Sequence, residues 1–390
     1  MKIAVVCDSF KGSLTSKDAC AAVKDGLLRC NKNFEVLSLP FADGGEGTSR
    51  CFYDILGGQL RKAAVHDPLL REITAEYTVL PDGTAVIDVA SASGLTLLKS
   101  SERDAVKVSS LGSGELICDA AEHGAKHIIL GLGGSATTDA GTGILYALGM
   151  RFFSEDGVEV LPDGQNMIRV KKIRRTENFE RFKDIKFTLA CDVTNHLCGE
   201  NGAAYVFSPQ KGASKNDVEL LDDGLRNIGE IFEKASGKKI INLPGAGAAG
   251  GIGGGLSAFL NCELQSGFDV LARAASLEDK IRRSDAVITG EGKTDRQTLF
   301  GKLPKRVSDI AEKFGVPCIL LSGDVENDIS AAELGVCEIH KIKENGISLE
   351  HCMKNAASLL SERAFAIGKD SKIINKQYSR KQEKMRENER

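Results

Sequence analysis

The sequence lacks tryptophan, has few aromatic residues and contains no apolar run long enough to span a bilayer. Its charges nearly balance, at a formal net charge of -3, and no basic cluster is interleaved with aromatic residues. These features predict no nucleic-acid partner and no membrane association. The eleven cysteines include no CxxC pair, which is typical of reduced thiols rather than of disulfides or a zinc site. We therefore expect a cytoplasmic globular protein, while the sequence makes no prediction about its oligomeric state.

A length of 390 residues indicates about two domains. Short apolar segments that predict buried strands alternate with helical periodicity over much of the chain, which is typical of an α/β fold. From residue 61 to residue 98 the pattern changes to that of a β-hairpin. We predict a discontinuous parallel-sheet domain, a second, smaller mixed α/β domain, and a basic, mobile C-terminal tail. The predicted boundaries are residues 1–60, 98–150 and 280–370 for the first domain, 61–97 and 151–279 for the second, and 371–390 for the tail.

The chain is organised around a glycine-rich loop, GLGGSATTDAG, at Gly131–Gly141. It follows the predicted buried strand at 127–130 and precedes a predicted helix, so its backbone amides lie where phosphate groups commonly bind. Glycine in such a loop also allows a strand and a helix to pack closely, and the loop by itself leaves both interpretations open. The choice between phosphate binding and close packing therefore depends on the other loops of the chain.

Five polar loops each follow a predicted strand, and the carboxyl ends of parallel strands meet at one edge of a sheet. The loops are DSFKGS, ADGGEG, GLGGSATTDAG, CDVTN and GEGKTD. Their carboxylates would repel one another unless cations lay among them, so we expect Lys11, Lys293 and a divalent metal ion at this edge. Phosphate-binding amides, metal-binding carboxylates and a proton acceptor are the parts of a phosphoryl-transfer site. The acidic residues concerned are Asp8, Asp43, Glu46, Asp139, Asp192, Glu291 and Asp295.

Other glycine motifs leave two further interpretations open. Gly245, Gly247 and Gly250 match GxGxxG, which favours a nicotinamide-dependent oxidoreductase of a small hydroxy acid, although no suitably placed acidic residue follows. A non-catalytic module that senses a phosphorylated metabolite is the other alternative. The GKT at residues 292–294 does not complete a P-loop, because the position that requires glycine is Val287.

Six stretches in order resemble the type-1 glycerate kinase family: CDSFKGSLTS, PFADGGEGT, GLGGSATTDAG, CDVTN followed by LCG, GAAGGIGGGL, and GEGKTDRQTLFGKLP. The resemblance implies phosphorylation of glycerate by ATP and dependence on Mg2+. It also implies a Rossmann-like domain and a second α/β domain that enclose the active site in a cleft. Thr138, Ala140, His196, Thr294 and Arg296 depart from residues common in the family, and none of them replaces a carboxylate or a lysine of the predicted site.

The resulting hypothesis gives each residue a role. Asp192 and Asp295 accept the glycerate hydroxyl proton and coordinate Mg2+, in an assignment that stays open, and Asp139 is a third metal ligand. Lys11 and Lys293 are the catalytic cations, although either could be an ordinary surface lysine. The predicted substrate side consists of Asp8, Ser9, Asp43 and Glu46, and the predicted ATP-binding residues are Gly133, Gly134, Ser135, Thr137, Gly250, Gly251 and Gly253. As alternatives, Asp8 and Asp192 could be turn residues and Asp139 could interact with a helix dipole.

Overall fold

A computed structural model describes residues 1–42, 44–344 and 346–388 of the chain, with side chains up to residue 380. The chain forms two compact units, one comprising residues 1–43 and 271–390 and the other residues 44–270. We call them the five-stranded unit and the six-stranded unit after their main sheets. No helix among the described residues combines the length and the apolar character needed to cross a membrane.

The strands, in chain order, are β1 (Lys2–Cys7), β2 (Glu35–Pro40), β3 (Gln59–His66), β4 (Glu72–Val79), β5 (Ala85–Asp88), β6 (His127–Gly131), β7 (Met150–Phe153), β8 (Lys172–Arg175), β9 (Lys186–Ala190), β10 (Asn261–Gln265), β11 (Ala286–Gly290), β12 (Lys293–Thr294), β13 (Cys318–Ser322), β14 (Asp324–Val325) and β15 (Glu338–Lys341). The α-helices are α1 (Ser16–Cys30), α2 (Thr48–Leu56), α3 (Ala90–Ser93), α4 (Leu111–Glu122), α5 (Thr142–Ala147), α6 (Ala203–Phe207), α7 (Lys215–Ser236), α8 (Ala248–Phe259), α9 (Gly267–Ala274), α10 (Leu277–Arg282), α11 (Leu303–Lys313), α12 (Ala331–Leu334), α13 (Leu349–Lys354), α14 (Ala356–Asp370) and α15 (Lys372–Asn388).

The five-stranded unit contains a parallel sheet in the order β2-β1-β11-β13-β15. Its inner strands β1, β11 and β13 are almost wholly buried, as expected for short apolar segments covered on both faces. Counted along this unit, the strand order is 2-1-3-4-5, a doubly wound arrangement whose direction of winding reverses between β1 and β11. The predicted Rossmann-like parallel sheet and the α/β fold class are therefore confirmed.

Helices α1 and α14 pack closely on this sheet. A Cβ on Gly26 would lie 2.0 Å from the carbonyl oxygen of Ser361, so glycine allows the two helices to approach each other. The segment predicted as a mobile tail begins with α15 instead, because Ile374 is fully buried in the same core. The ring of Tyr378 also packs edge-on against Phe34, with 5.8 Å between the ring centroids.

The six-stranded unit contains a mixed sheet in the order β10-β9-β6-β5-β4-β3. Strands β5, β6, β9 and β10 are parallel, whereas β3, β4 and β5 form antiparallel pairs that include the predicted hairpin. The register aligns Asp88, Gly131 and Ala190 at neighbouring carboxyl ends. The loops that follow these strands therefore lie together at one edge of the sheet.

The division of the chain differs from the boundaries expected from the sequence. Residues 98–150 belong to the six-stranded unit, because β6 pairs with β5 on one side and with β9 on the other. The second unit is also the longer of the two, and it is inserted as one continuous segment after β2. Strand, polar loop and helix recur in both units, so this local pattern does not reveal which sheet a strand joins.

Candidate active site

A cavity of about 680 Å³ opens at the carboxyl edge of the sheet in the five-stranded unit. The loops that follow β1, β11, β13 and β15 contribute to its wall. It lies where the winding of the sheet reverses, the usual ligand position in a doubly wound sheet. Six of the residues predicted at the site line it: Asp8, Ser9, Lys11, Glu291, Lys293 and Asp295.

Asp295 is held in place by the segment that follows it. Its Oδ1 accepts hydrogen bonds from the backbone amide of Gln297 at 2.9 Å and from Nζ of Lys302 at 3.1 Å. Partial burial opposes ionisation, but the hydrogen bond and the charge of Lys302 outweigh it and lower the pKa of Asp295. Asp295 is therefore a carboxylate at neutral pH and can accept a proton or bind a cation. Lys302 was absent from the predicted site, since in the sequence it precedes a helix as an ordinary lysine would.

Glu291 is a buried carboxyl group that hydrogen-bonds to residues on both sides of Asp295 in the chain. Its Oε1 accepts hydrogen bonds from the hydroxyls of Thr294 at 3.0 Å and Thr298 at 2.7 Å. Burial raises the pKa of Glu291 above the ordinary value, although both hydroxyl groups act against that increase. These hydrogen bonds hold the loop that carries Asp295. Glu291 therefore acts by positioning this loop.

The lysines of the cavity differ in their partners. Lys293 pairs with Glu326 at 2.8 Å, and Lys343 pairs with Asp324 at 2.6 Å. Among the described residues, the ammonium group of Lys11 has no carboxylate within ion-pair distance. Lys11 therefore offers a charge for an incoming anion, whereas Lys293 already has a surface partner.

Two of the predicted glycine-rich loops meet in the six-stranded unit. The amide of Gly133 donates to the carbonyl oxygen of Gly44 at 3.0 Å, and a Cβ on Gly133 would lie 2.4 Å from Cα of Gly45. A Cβ on Gly134, whose φ is 78°, would lie 3.6 Å from Cβ of Glu46. Glu46 thus lies beside the Gly131–Gly141 loop, while Asp43, predicted on the substrate side, lies outside the described residues.

Asp139 is a structural carboxylate in this geometry and does not fit the predicted role of metal ligand. It is fully buried, and its Oδ2 accepts hydrogen bonds from the amide and the hydroxyl of Ser110 at 2.8 and 2.7 Å. The amide of Gly141 donates to Oδ1 of Asp139 at 3.0 Å, and the amide of Gly143 donates to its Oδ2 at 3.4 Å. The amides of Gly141 and Gly143, at the start of α5, are therefore already occupied by a side chain of the protein itself. Burial raises the pKa of Asp139, and these hydrogen bonds oppose the increase.

Close backbone packing explains the glycines Gly250, Gly251 and Gly253, which the sequence analysis predicted to bind ATP. A Cβ on Gly250 would lie 2.0 Å from the carbonyl oxygen of Thr137, and one on Gly251 would lie 2.9 Å from Cα of Ala140. Gly253 is similarly restricted, with 2.4 Å to the carbonyl oxygen of Gly245. All three glycines are buried. Close backbone packing accounts for these glycines, which the sequence analysis assigned to ATP, better than contact with a nucleotide does.

Lys211 is the principal residue of this unit that sequence reasoning missed. It is 3% exposed, and its Nζ donates to Oγ of Ser135 at 3.0 Å and to the carbonyl oxygen of Thr137 at 2.6 Å. Burial lowers the pKa of Lys211 to about 7, and the charge of Asp139 opposes this effect. Lys211 therefore lies behind the predicted phosphate-binding residues Ser135 and Thr137. No local motif marks it, since a buried lysine is recognised only by what surrounds it.

Two more carboxylates lie at the same edge of the mixed sheet. Asp192 is exposed in the loop that follows β9, consistent with a group that contacts a ligand. Asp88, which sequence reasoning did not select, ends β5 and accepts hydrogen bonds from the amides of Gly47 and Ser49 at 3.0 and 2.9 Å. Burial raises the pKa of Asp88 to about 7, against the effect of these two amides. Asp88 thereby orients the start of α2, where the ADGGEG loop ends.

The geometry gives no support to the dinucleotide-binding alternative. The GxGxxG motif of dinucleotide-binding proteins requires a strand directly before the glycines and a helix that begins within them. Gly245 and Gly247 instead follow a turn, and α8 is interrupted by left-handed backbone at Ala249, Gly250 and Gly251. The oxidoreductase interpretation therefore loses the motif on which it depended.

Comparisons with known proteins agree with the six ordered motifs. The model of the glycerate kinase family matches residues 3–372. A glycerate kinase of Halalkalibacterium halodurans is 38% identical over 364 residues, which cover 93% of this chain and 96% of that protein. A glycerate 2-kinase of Escherichia coli is 40% identical over 330 residues, 84% of this chain and 87% of that protein.

A similar solved structure leads to the same family. It is described as a glycerate kinase 2 from Salmonella typhimurium, with a TM-score of 0.83 and 35% sequence identity. The match covers 94% of this chain and 97% of that chain. Sequence, fold and the order of the motifs therefore agree: this chain belongs to the glycerate kinase family.

Proposed function

We propose that the protein transfers the terminal phosphoryl group of ATP to a hydroxyl of glycerate and releases phosphoglycerate and ADP. Membership of the glycerate kinase family supports this activity. The observation that carries the chemical argument is the ionised Asp295 with its partner Lys302, in a cavity that also contains Lys11. A proton acceptor and lysines that offset phosphate charge are what phosphoryl transfer requires of a protein.

Asp295 and Asp192 are proposed as the carboxylates that accept the hydroxyl proton and bind the metal, and the assignment between them is for experiment to decide. Lys11 would offset charge on the transferring phosphoryl group or hold the carboxylate of glycerate. Lys293, paired with Glu326, would act from the rim of the cavity. Asp8, Ser9 and Glu46 are retained as proposed substrate contacts.

The donor atoms available fit Mg2+ delivered together with ATP. Among the described residues no group of three or more His, Cys, Asp or Glu side chains could hold an ion. Mg2+ in kinases is commonly held by one or two carboxylates and by the phosphates of the substrate, so a protein cage is not required. Whichever of Asp295 and Asp192 does not accept the proton would contribute such a carboxylate. The bound ion would neutralise charge on the nucleotide phosphates.

The Gly131–Gly141 loop is proposed to bind an anionic group of one substrate near Ser135. Lys211 behind the loop would supply positive charge, and Glu46 lies beside it. We propose a cytoplasmic location as well, because all eleven cysteines, each among the described residues, are free thiols, as expected in a reducing compartment.

The test is an assay that couples ADP formation to NADH oxidation, with the product identified by phosphorus NMR. We expect ADP to form only when ATP, Mg2+ and glycerate are all present. Similarity to the Escherichia coli glycerate 2-kinase leads us to expect 2-phosphoglycerate. Formation of 3-phosphoglycerate would overturn the choice of hydroxyl, and absence of any phosphoglycerate would overturn the function.

A further inference from the structure

We infer that the cavity of the five-stranded unit binds the purine base of ATP, with the base against an apolar wall formed by α13 and the residues beside it. This inference rests on the proposed kinase function, and it assigns the base to the five-stranded unit, whereas the sequence assigned ATP to glycine-rich loops of the six-stranded unit. It depends on three observations: the composition of the apolar wall, the charged residues that line the same cavity, and the position of the cavity in the sheet.

The apolar wall contains large side chains that the described residues leave partly exposed. Leu349 is 60% exposed and Met353 is 37% exposed, although both line the cavity. They lie four residues apart on α13, so they share one face of that helix. Ile342 and Phe10 also line the cavity and are buried. An exposed pair of large apolar side chains beside a cavity indicates a ligand with an apolar surface.

Charged side chains line the same cavity. Lys11, Lys302 and Lys343 line it together with Asp295 and Asp324. Lys302 and Lys343 each have a carboxylate partner, whereas Lys11 has none among the described residues. A ligand that fits both the apolar wall and these charges has an apolar part and a strongly anionic part, as a nucleoside triphosphate does.

Glycerate does not match this combination. Each of its three carbon atoms carries oxygen, so it has no face that would gain from contact with Leu349 and Met353. A cavity of about 680 Å³ is in the range of pockets that hold drug-sized ligands. Its place at the point where the winding of the sheet reverses is also the usual nucleotide position in doubly wound sheets. The geometry therefore favours the nucleotide over glycerate as the ligand of the apolar wall.

The experiment measures binding of a fluorescent ADP carrying an N-methylanthraniloyl group on its ribose, before and after the apolar wall is changed. In the variant Leu349→Asp/Met353→Asp we expect the Kd to rise by about tenfold or more, because the base loses its apolar contact. The KM for ATP should rise in parallel, while the KM for glycerate should stay within about twofold. The matched control is Val158→Asp/Leu161→Asp, which alters two exposed apolar residues of the six-stranded unit.

A nucleotide Kd within about twofold of wild type in the double variant would overturn the inference. Photolabelling of the wild-type protein with 8-azido-ATP provides a test that does not depend on variants. Labelled peptides should come from residues 342–356, and labelling confined to residues 131–141 or 245–255 would contradict the proposed position. If the unaltered protein forms phosphoglycerate but binds nucleotide elsewhere, only this inference fails. If it binds nucleotide here but forms no phosphoglycerate, only the proposed function fails.

Discussion

The ammonium group of Lys211 donates a hydrogen bond of 3.0 Å to the hydroxyl of Ser135, a residue 76 positions earlier in the chain. The same ammonium group donates to the carbonyl oxygen of Thr137 at 2.6 Å. Two neutral oxygen atoms are weak compensation for a buried charge, and burial lowers the pKa of Lys211 to about 7. An anion bound at the Gly131–Gly141 loop would favour the charged form of this lysine.

Replacement of Lys211 by methionine should weaken binding of the substrate whose anionic group occupies that loop. We expect its KM to rise by about tenfold, with a smaller change in kcat, because a positive charge that acts in the ground state is lost. Separate titrations of ATP and glycerate identify the substrate concerned. Lys215→Met is the control, since Lys215 is exposed at the start of α7. Unchanged KM values for both substrates would remove Lys211 from the site.

The lowered pKa of Lys211 also predicts how stability depends on pH. Between pH 7 and 10.5 the unfolded chain holds a proton on this lysine that the folded protein lacks, so folding becomes more favourable as pH rises. The contribution is at most about 1.4 kcal/mol per pH unit, and Lys211→Met should lack it. Urea unfolding at pH 7, 8 and 9 measures the difference between the two proteins. A difference that does not change with pH would contradict a lysine that is neutral in the fold.

Replacement of Asp295 by asparagine should reduce kcat and kcat/KM together, by about 10² to 10⁴-fold, if this carboxylate accepts the hydroxyl proton. Asparagine keeps the shape of the side chain but cannot take the proton. Initial rates at saturating ATP and glycerate provide the measurement. Asp328→Asn is a suitable control, because Asp328 forms an exposed ion pair with Arg296 in the same region. Near wild-type kcat in both Asp295→Asn and Asp192→Asn would refute the proposed mechanism.

Asp139 offers a test of a structural role against a metal-binding role. Asp139→Asn should lower the free energy of unfolding by about 1 to 3 kcal/mol, because an amide cannot satisfy all the donors now held by the buried carboxylate. The Mg2+ concentration needed for half-maximal activity should not change. If Asp192 is the metal ligand, Asp192→Asn should instead raise this Mg2+ concentration. An unchanged stability together with a raised Mg2+ requirement in Asp139→Asn would restore its role as a metal ligand.

Much of the fold followed from local patterns. The strand before Gly131, the hairpin after residue 61 and the apolar strand that ends at Cys7 all occur as expected. The apolar runs predicted a parallel sheet because strands covered on both faces exclude polar residues. The assignment of residues 98–150 did not follow, since the partner of β6 is chosen by packing between segments distant in the chain. The packing of Ile374 was missed because one buried residue in a basic segment produces no periodic pattern.

Only part of the candidate site could be predicted, because some of its contacts also join residues that are distant in the chain. Polar loops at strand ends were recognised correctly, and Glu46 does lie beside Gly134. The glycines at 250 and 251 were assigned to ATP because a glycine required by backbone packing looks the same in sequence as one required by a phosphate. Lys302 was missed because only its contact with Asp295 distinguishes it from a surface lysine.

By itself, the sequence determined the elements of the fold, the polar loops at the strand ends, and, through six ordered motifs, the family. Those properties depend on neighbouring residues, which set backbone conformation and burial over a few turns. Only the tertiary structure decided which sheet each loop joins and which charged groups remain available to a ligand. Asp139 is occupied by Ser110, and Lys211 is buried behind Ser135, through contacts between residues far apart in the chain. Folding brings such groups together, and no local sequence pattern predicts these contacts.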